Sequence, residues 1–184
     1  MSIALFSRSA KSDAALWLKL REKYQTKKLN RIHSWIIKKR YNHLNYRNVA
    51  SIPIHVKIGE GLNLPHGISG IFISTGSQIG KNCVIFHHVT LGTNATPNSK
   101  KLGAPIVGDN VFIGAGAVIV GGVTIGNNVL IGANCTIAQD IPDNCTVVSS
   151  GGIRIIPWEE MRDNSFHSFN ELKFEELANK DFYR

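Results

Sequence analysis

No stretch of this sequence stays apolar for the roughly twenty residues that a bilayer-spanning helix needs, and the N-terminus lacks the charged-then-apolar order of a secretory signal. A cytoplasmic protein is therefore expected. Cysteine is scarce, and Cys83, Cys135 and Cys145 stand at no metal-ligand spacing, so they read as small, reduced core residues. Acidic residues are few as well, 13 against 21 Lys and Arg, and the imbalance is local. Residues 1–50 hold twelve cations against Asp13 and Glu22, a balance of +10, which leaves −2 for the rest of the chain. No base-reading motif accompanies these cations, which argues against nucleic acid. A solvated helical face, an anionic membrane surface and a phosphorylated, lipid-linked substrate remain open. The central half also lacks both the helical period and simple alternation.

What it has instead is a period of six. A branched aliphatic residue recurs at Ile58, Leu64, Ile73, Ile79, Ile85 and Leu91, then at Val107, Ile113, Ile119, Ile125, Ile131 and Ile137. Glycine commonly follows it (Gly59, Gly80, Gly92, Gly108, Gly114, Gly126, Gly132), and the fifth position is small or apolar, as at Ser77, Cys83, Val89, Val111 and Ala117. Such a period means a structural repeat in which each hexad is one short strand and one tight turn. The aliphatic points inward, the glycine is expected to supply unusual backbone angles, and three hexads close a triangular coil. A mainly β fold follows, a parallel coil with a stacked aliphatic core.

Three regions are expected. Residues 1–50 form a basic helical segment, with helices near 12–24 and 29–44, a start signal at Ser12-Asp13, and a role in capping the open end of the coil. Residues 51–148 form the repeat domain, and 149–184 a tail with short helical stretches at 158–161 and 165–179, the hexads failing after Ile141-Pro142. Two interruptions break the repeat. Leu64 to Ile73 is nine residues instead of six, read as an outward bulge around Pro65-His66-Gly67; Leu91 to Val107 is sixteen, read as a projecting polar, basic loop over 93–105.

The repeat arithmetic also places side chains. Hexads starting at Leu64, Ile73 and Ile79 make one coil, so Ile85 stacks on Leu64, and His66 and His87 share the third position one coil apart, about 4.8 Å along the stack. His88 adjoins His87. Three imidazoles are thus expected at one edge, beside the first interruption.

Hexads such as Ile-Gly-Lys-Asn-Cys-Val and Ile-Gly-Asn-Asn-Val-Leu resemble those of the hexapeptide-repeat acyltransferases, which implies a left-handed parallel β-helix. Within that family, residues 58–71 with Val89-Thr90-Leu91-Gly92 and Ile113-Gly114-Ala115-Gly116-Ala117 are similar to the serine acetyltransferase branch. The resemblance covers about half the chain. It implies acetyl-CoA as donor with no metal, His66 as general base, a pantetheine groove along Gly92, Thr93, Ala115 and Ala133, and a homotrimer with sites between subunits. That branch places aspartate where this chain has Pro65 and Ser51, and arginine and histidine for the amino-acid substrate where it has Gly103 and Ala104. The run Gly103-Ala-Pro-Ile-Val-Gly-Asp-Asn-Val111 resembles instead the relatives that acetylate sugars of capsules and other glycans.

The leading expectation is therefore acetyl transfer from acetyl-CoA to a sugar hydroxyl. His66 takes the hydroxyl proton, His87 orients His66 or holds the acceptor, His88 stands on the acceptor side, and Lys100 and Lys101 attract the CoA phosphates. Three alternatives stand beside it: serine as acceptor; a zinc enzyme of the γ-carbonic anhydrase type using His66, His87 and His88; and a non-catalytic solenoid. Peripheral membrane association through the basic segment is a further expectation.

Overall fold

The computed structural model describes residues 3–97, 99–149 and 153–157, so the helical stretches expected at 158–161 and 165–179 lie outside the described residues. Two helices, α1 (Ile3–Thr26) and α2 (Arg31–Arg47), precede the strands. Apolar residues of α1 at helical spacing, Ala14, Trp17 and Leu20, are buried, as are Ile37, Tyr41 and Leu44 of α2. Trp17 and Tyr41 stack with centroids 5.2 Å apart. Asn30 caps α2, its side-chain oxygen accepting from the His33 N–H at 2.9 Å.

The pair closes the end of the coil, as expected for a solenoid whose first turn would otherwise expose strand edges and core. Trp17 Nε1 donates to Asn45 Oδ1 (3.1 Å), Asn45 Nδ2 to the Ile52 carbonyl (2.9 Å) and Gln25 to the Ile54 carbonyl (3.0 Å), while the buried Arg21 donates to the Val56 carbonyl. Ser12-Asp13 does not start the first helix. Asp13 is used elsewhere, as partner of Arg47 (3.2 Å) and Asn48 (3.1 Å) at the end of α2.

The strands form three parallel faces. The first stacks β1 (Lys57–Ile58), β3 (Gln78–Ile79), β6 (Ile106–Val107) and β9 (Thr124–Ile125); the second stacks β2 (Phe72–Ile73), β5 (Thr90–Gly92), β8 (Val118–Val120) and β11 (Thr136–Ile137). The third holds β4 (Val84–Ile85), β7 (Phe112–Ile113), β10 (Val129–Ile131) and β12 (Cys145–Ser149). Register follows the hexads: Ile79 pairs with Val107, Leu91 with Ile119, and Ile85 with Ile113. Both inward positions fill the core, from Ile113, Ile119 and Ile125 to Val111, Ala117 and Val129. Each buried branched side chain contributes about 1.5–3 kcal/mol. Cys83, Cys135 and Cys145 are buried free thiols, and burial pushes Cys83 up to about 11.

Three details differ from the sequence expectation. The glycines after the aliphatic do not adopt positive φ; that conformation falls two residues later, at Gly61, Asn82, Asn110, Asn128 and Asn144 on one corner and at Gly67, His88, Gly116 and Asn134 on another. At most of these positions, though not at Gly92, glycine is needed because coils touch at the corners: a Cβ on Gly80 would lie 2.4 Å from the Gly108 carbonyl oxygen, and one on Gly114 2.6 Å from the Ala133 nitrogen. The interruption after Leu64 is only partly an outward bulge, since Ile68 and Ile71 are fully buried. Finally, the repeat does not fail at Ile141-Pro142. It drops two residues, so that Ile141 bridges to Ile125 and Val147 pairs with Ile131, and β13 (Ile153–Pro157) returns antiparallel along β12.

Candidate active site

The corner after the third face is built by stacking. Asn63 bridges to Val84, Val84 pairs with Phe112, and Phe112 with Leu130. Three residues further on, the same register sets His66, His87, Ala115 and Ala133 in one column on successive coils. Backbone bonds tie it together: the Gly116 N–H donates to the His87 carbonyl (3.1 Å) and the Asn134 N–H to the Ala115 carbonyl (2.9 Å).

The two imidazoles meet edge to face with centroids 5.1 Å apart, and His88 lies 5.4 Å from His87. His66 is exposed and also packs against Phe86 at 5.4 Å, which itself lies 5.1 Å from Phe112. His87 is half-buried, and its Nδ1 has no hydrogen-bond partner among the described residues. Burial, then the neighbouring His66 and His88, hold His87 below the ordinary imidazole value. His88 occupies the left-handed turn position with φ 59°, and its ring fills the space beside Gly70, where a Cβ would lie 2.2 Å from Nδ1. The aromatic floor was not anticipated. Its sequence signal is the loss of glycine after Leu64 and Ile85, where Pro65 and Phe86 stand in place of the Gly114 and Gly132 of later coils.

The remaining candidates divide between corners. Ala115 and Ala133 continue the histidine column, whereas Gly92 ends β5 and Thr93 follows it, at the corner from which the long loop departs. That loop is fastened at its base: Asn94 and Gly103 exchange backbone bonds of 2.9 and 3.0 Å, and the Gly122 N–H donates to the Lys101 carbonyl. Lys101 is engaged by Asp140 at 2.6 Å, and Lys101 with the Thr124 N–H holds that carboxyl below its usual range. Lys100 is exposed. Ala104 lies against Gly76 and Gly103 is exposed, so neither position offers a side chain to an acidic ligand. Among the described residues no group of three His, Cys, Asp or Glu is arranged to hold a metal ion.

Residues 104–139 match the family described as bacterial transferase hexapeptide (six repeats). Over 138 residues the chain is 33% identical to a serine acetyltransferase of Synechococcus elongatus, covering 70% of this chain and 55% of that protein. Among solved structures it is similar to a soybean serine acetyltransferase apoenzyme (26% identity, TM-score 0.57, 79% of this chain and 55% of the other). It is also similar to a serine acetyltransferase complexed with CoA (25% identity, TM-score 0.60, 78% and 55%). The three parallel faces are thus those of a left-handed β-helix, and the chain spans about half the length of the relatives it matches.

Proposed function

We propose that this chain, built on the hexapeptide repeat of the bacterial transferases, is an acetyl-CoA-dependent O-acetyltransferase with His66 as its general base. The observation that carries the reading is the corner column, in which two imidazoles are followed by two alanines. Imidazole accepts a proton near neutral pH, and the alanines leave a trough along the stack for an extended thioester arm. His66 takes the acceptor's hydroxyl proton as that oxygen attacks the thioester carbonyl. A backbone N–H stabilises the oxyanion, the carbon–sulfur bond breaks, and the proton passes to the departing thiolate. Gly92 and Thr93, at a different corner, fit a homotrimer in which a neighbouring subunit completes the trough.

Serine is the acceptor in the names of the relatives, and it is the first acceptor to assign. The sugar expected from the sequence finds no support among them. It keeps one observation in its favour: Gly103 and Ala104 offer no cation to a carboxylate. Thiol release from acetyl-CoA across serine, free sugars and nucleotide sugars separates these readings. Turnover on serine sustains the first, turnover on sugars alone replaces it with the second, and no CoA binding at all leaves a non-catalytic solenoid.

A further inference from the structure

Helix α2 has two apolar faces, and the coil uses only one. Ile37, Tyr41, Leu44 and Asn45 are buried against α1 and the first coil. On the opposite side Ile32 (69% exposed), Trp35 (60%), Ile36 (41%) and Tyr46 (84%) stand in solvent. At about 100° per residue, these four with Lys39 and His43 fall within an arc of about 100°. Arg40 and Arg47 border that arc on one side and Arg31 and Lys38 on the other. The Lys39 ammonium sits 5.1 Å from the Trp35 ring centroid, within the stripe itself.

The charge around this stripe has one sign. Between Glu22 and Glu60 the sequence has no acidic residue and nine Lys and Arg. Of these, Arg47 is paired with Asp13, while Lys27, Lys28, Arg31, Lys38, Lys39 and Arg40 are exposed. An apolar band with tryptophan and tyrosine, bordered on both sides by cations, has the chemistry of a helix lying in the headgroup region of an anionic bilayer. Among the described residues no helix is long and apolar enough to cross a membrane, so such contact is made on the surface.

We infer that the exposed face of α2 docks on an anionic lipid bilayer, with Ile32, Trp35, Ile36 and Tyr46 entering the interface and the flanking cations meeting acidic headgroups. Docking there bears directly on the corner described above. Asn48, the C-cap of α2, accepts a 2.9 Å backbone bond from Gly70, the residue beneath the His88 ring, so the docked helix is fastened to the turn that follows His66. The inference stands independently of acetyl transfer.

The test is co-sedimentation of the full chain with vesicles of phosphatidylglycerol or of phosphatidylcholine, at low and high salt. Binding is expected on the anionic vesicles alone and should weaken as salt screens the headgroups. Trp35→Ser with Ile36→Ser, and separately Lys38→Gln with Lys39→Gln and Arg40→Gln, should each weaken binding by at least about tenfold, while the circular dichroism and melting temperature of the protein stay unchanged. Failure to bind anionic vesicles at low salt overturns the inference, as does equal binding to neutral ones. Particle size that depends on Trp35 in the absence of vesicles would assign the face to a second copy, and tighter binding to a duplex oligonucleotide than to vesicles would assign it to nucleic acid.

Discussion

Gly114 and Gly92 hold the same place in their hexads, yet alanine should have opposite consequences at the two. At Gly114 the new Cβ would lie 2.6 Å from the Ala133 nitrogen, 2.8 Å from the Gly132 carbonyl carbon and 2.9 Å from the Ile131 carbonyl oxygen, all backbone. Ordinary contact begins near 3.4 Å, so adjacent coils must part by several tenths of an ångström at the histidine corner. Two ladder bonds cross that gap, Gly114 N–H to Ile131 (2.8 Å) and Asn134 N–H to Ala115 (2.9 Å). Overpacking of about 1–3 kcal/mol and weakened bonds together give a loss of about 2–4 kcal/mol. At about 2–4 °C per kcal/mol for a chain of this size, the melting temperature drops by about 4–16 °C. At Gly92 the Cβ meets only side-chain carbons, the nearest being Val120 Cγ2 at 3.5 Å, and φ is not positive. Gly92→Ala should leave stability unchanged or raise it by up to about 1 kcal/mol through the unfolded chain. If Gly92 lines the donor path, the same variant raises the KM for acetyl-CoA with no loss of melting temperature. Thermal unfolding of the two variants side by side is the assay. Equal melting temperatures for the two would refute the argument from coil contact.

Four further outcomes can be measured. His66→Ala should lower turnover by at least about a hundredfold with CoA binding retained; near-normal turnover in a folded protein would remove His66 as base. Ala115→Leu should raise the KM for acetyl-CoA far more than that for the acceptor, and unchanged donor kinetics would move the thioester path off this corner. Because folding holds His87 below its unfolded value of about 6.5, the unfolded chain binds more protons, and stability present at higher pH is lost as pH falls through 6.5 toward the folded value. Melting temperatures at pH 7.5 and 5.5 should show this slope, with His87→Gln removing part of it; an identical slope would mean His87 does not titrate as its surroundings require. His88→Asn, which places at φ 59° the residue found at most other non-glycine positive-φ turns here, should raise stability by about 1 kcal/mol while lowering turnover. A lower melting temperature would mean that the ring's contact with Gly70 outweighs the backbone cost.

Most of the coil was legible because its signal is redundant. Six-residue spacing sets Ile85, Ile113 and Ile131 on one face without reference to anything distant, and the bridge between Asn63 and Val84 keeps Leu64 in that stack despite the three extra residues after it. What was not legible depends on contacts between coils. Glycine after the aliphatic reads equally well as a turn former and as a concession to close stacking, and only the distance from Gly80 to the Gly108 backbone decides between them. The two-residue deletion before Ile141 hides the last coil from any count in sixes. Ser12-Asp13 has the chemistry of a helix start, but the tertiary ion pair with Arg47 claims the carboxylate.

At the candidate site the sequence places the residues and the backbone aims them. Register alone carries His66 and His87 to one corner, because both are third in hexads one coil apart. The direction of His88 follows from a different rule. The fourth place of that corner requires a left-handed residue, met by glycine at 67 and 116 and by asparagine at 134. A histidine there bears a backbone cost that the other coils avoid, and the ring it turns outward comes to rest over Gly70, beside His87. Gly70, itself at φ 65°, leaves the space that the ring fills, so the nine-residue interruption and the unusual histidine are two halves of one arrangement. The extra residues also bury Ile68 and Ile71 beneath the turn, which lets the chain carry a polar, partly strained corner without loosening the coil below it. Departure from the repeat and departure from glycine and asparagine at the turn therefore coincide at one place, the corner that holds the three imidazoles.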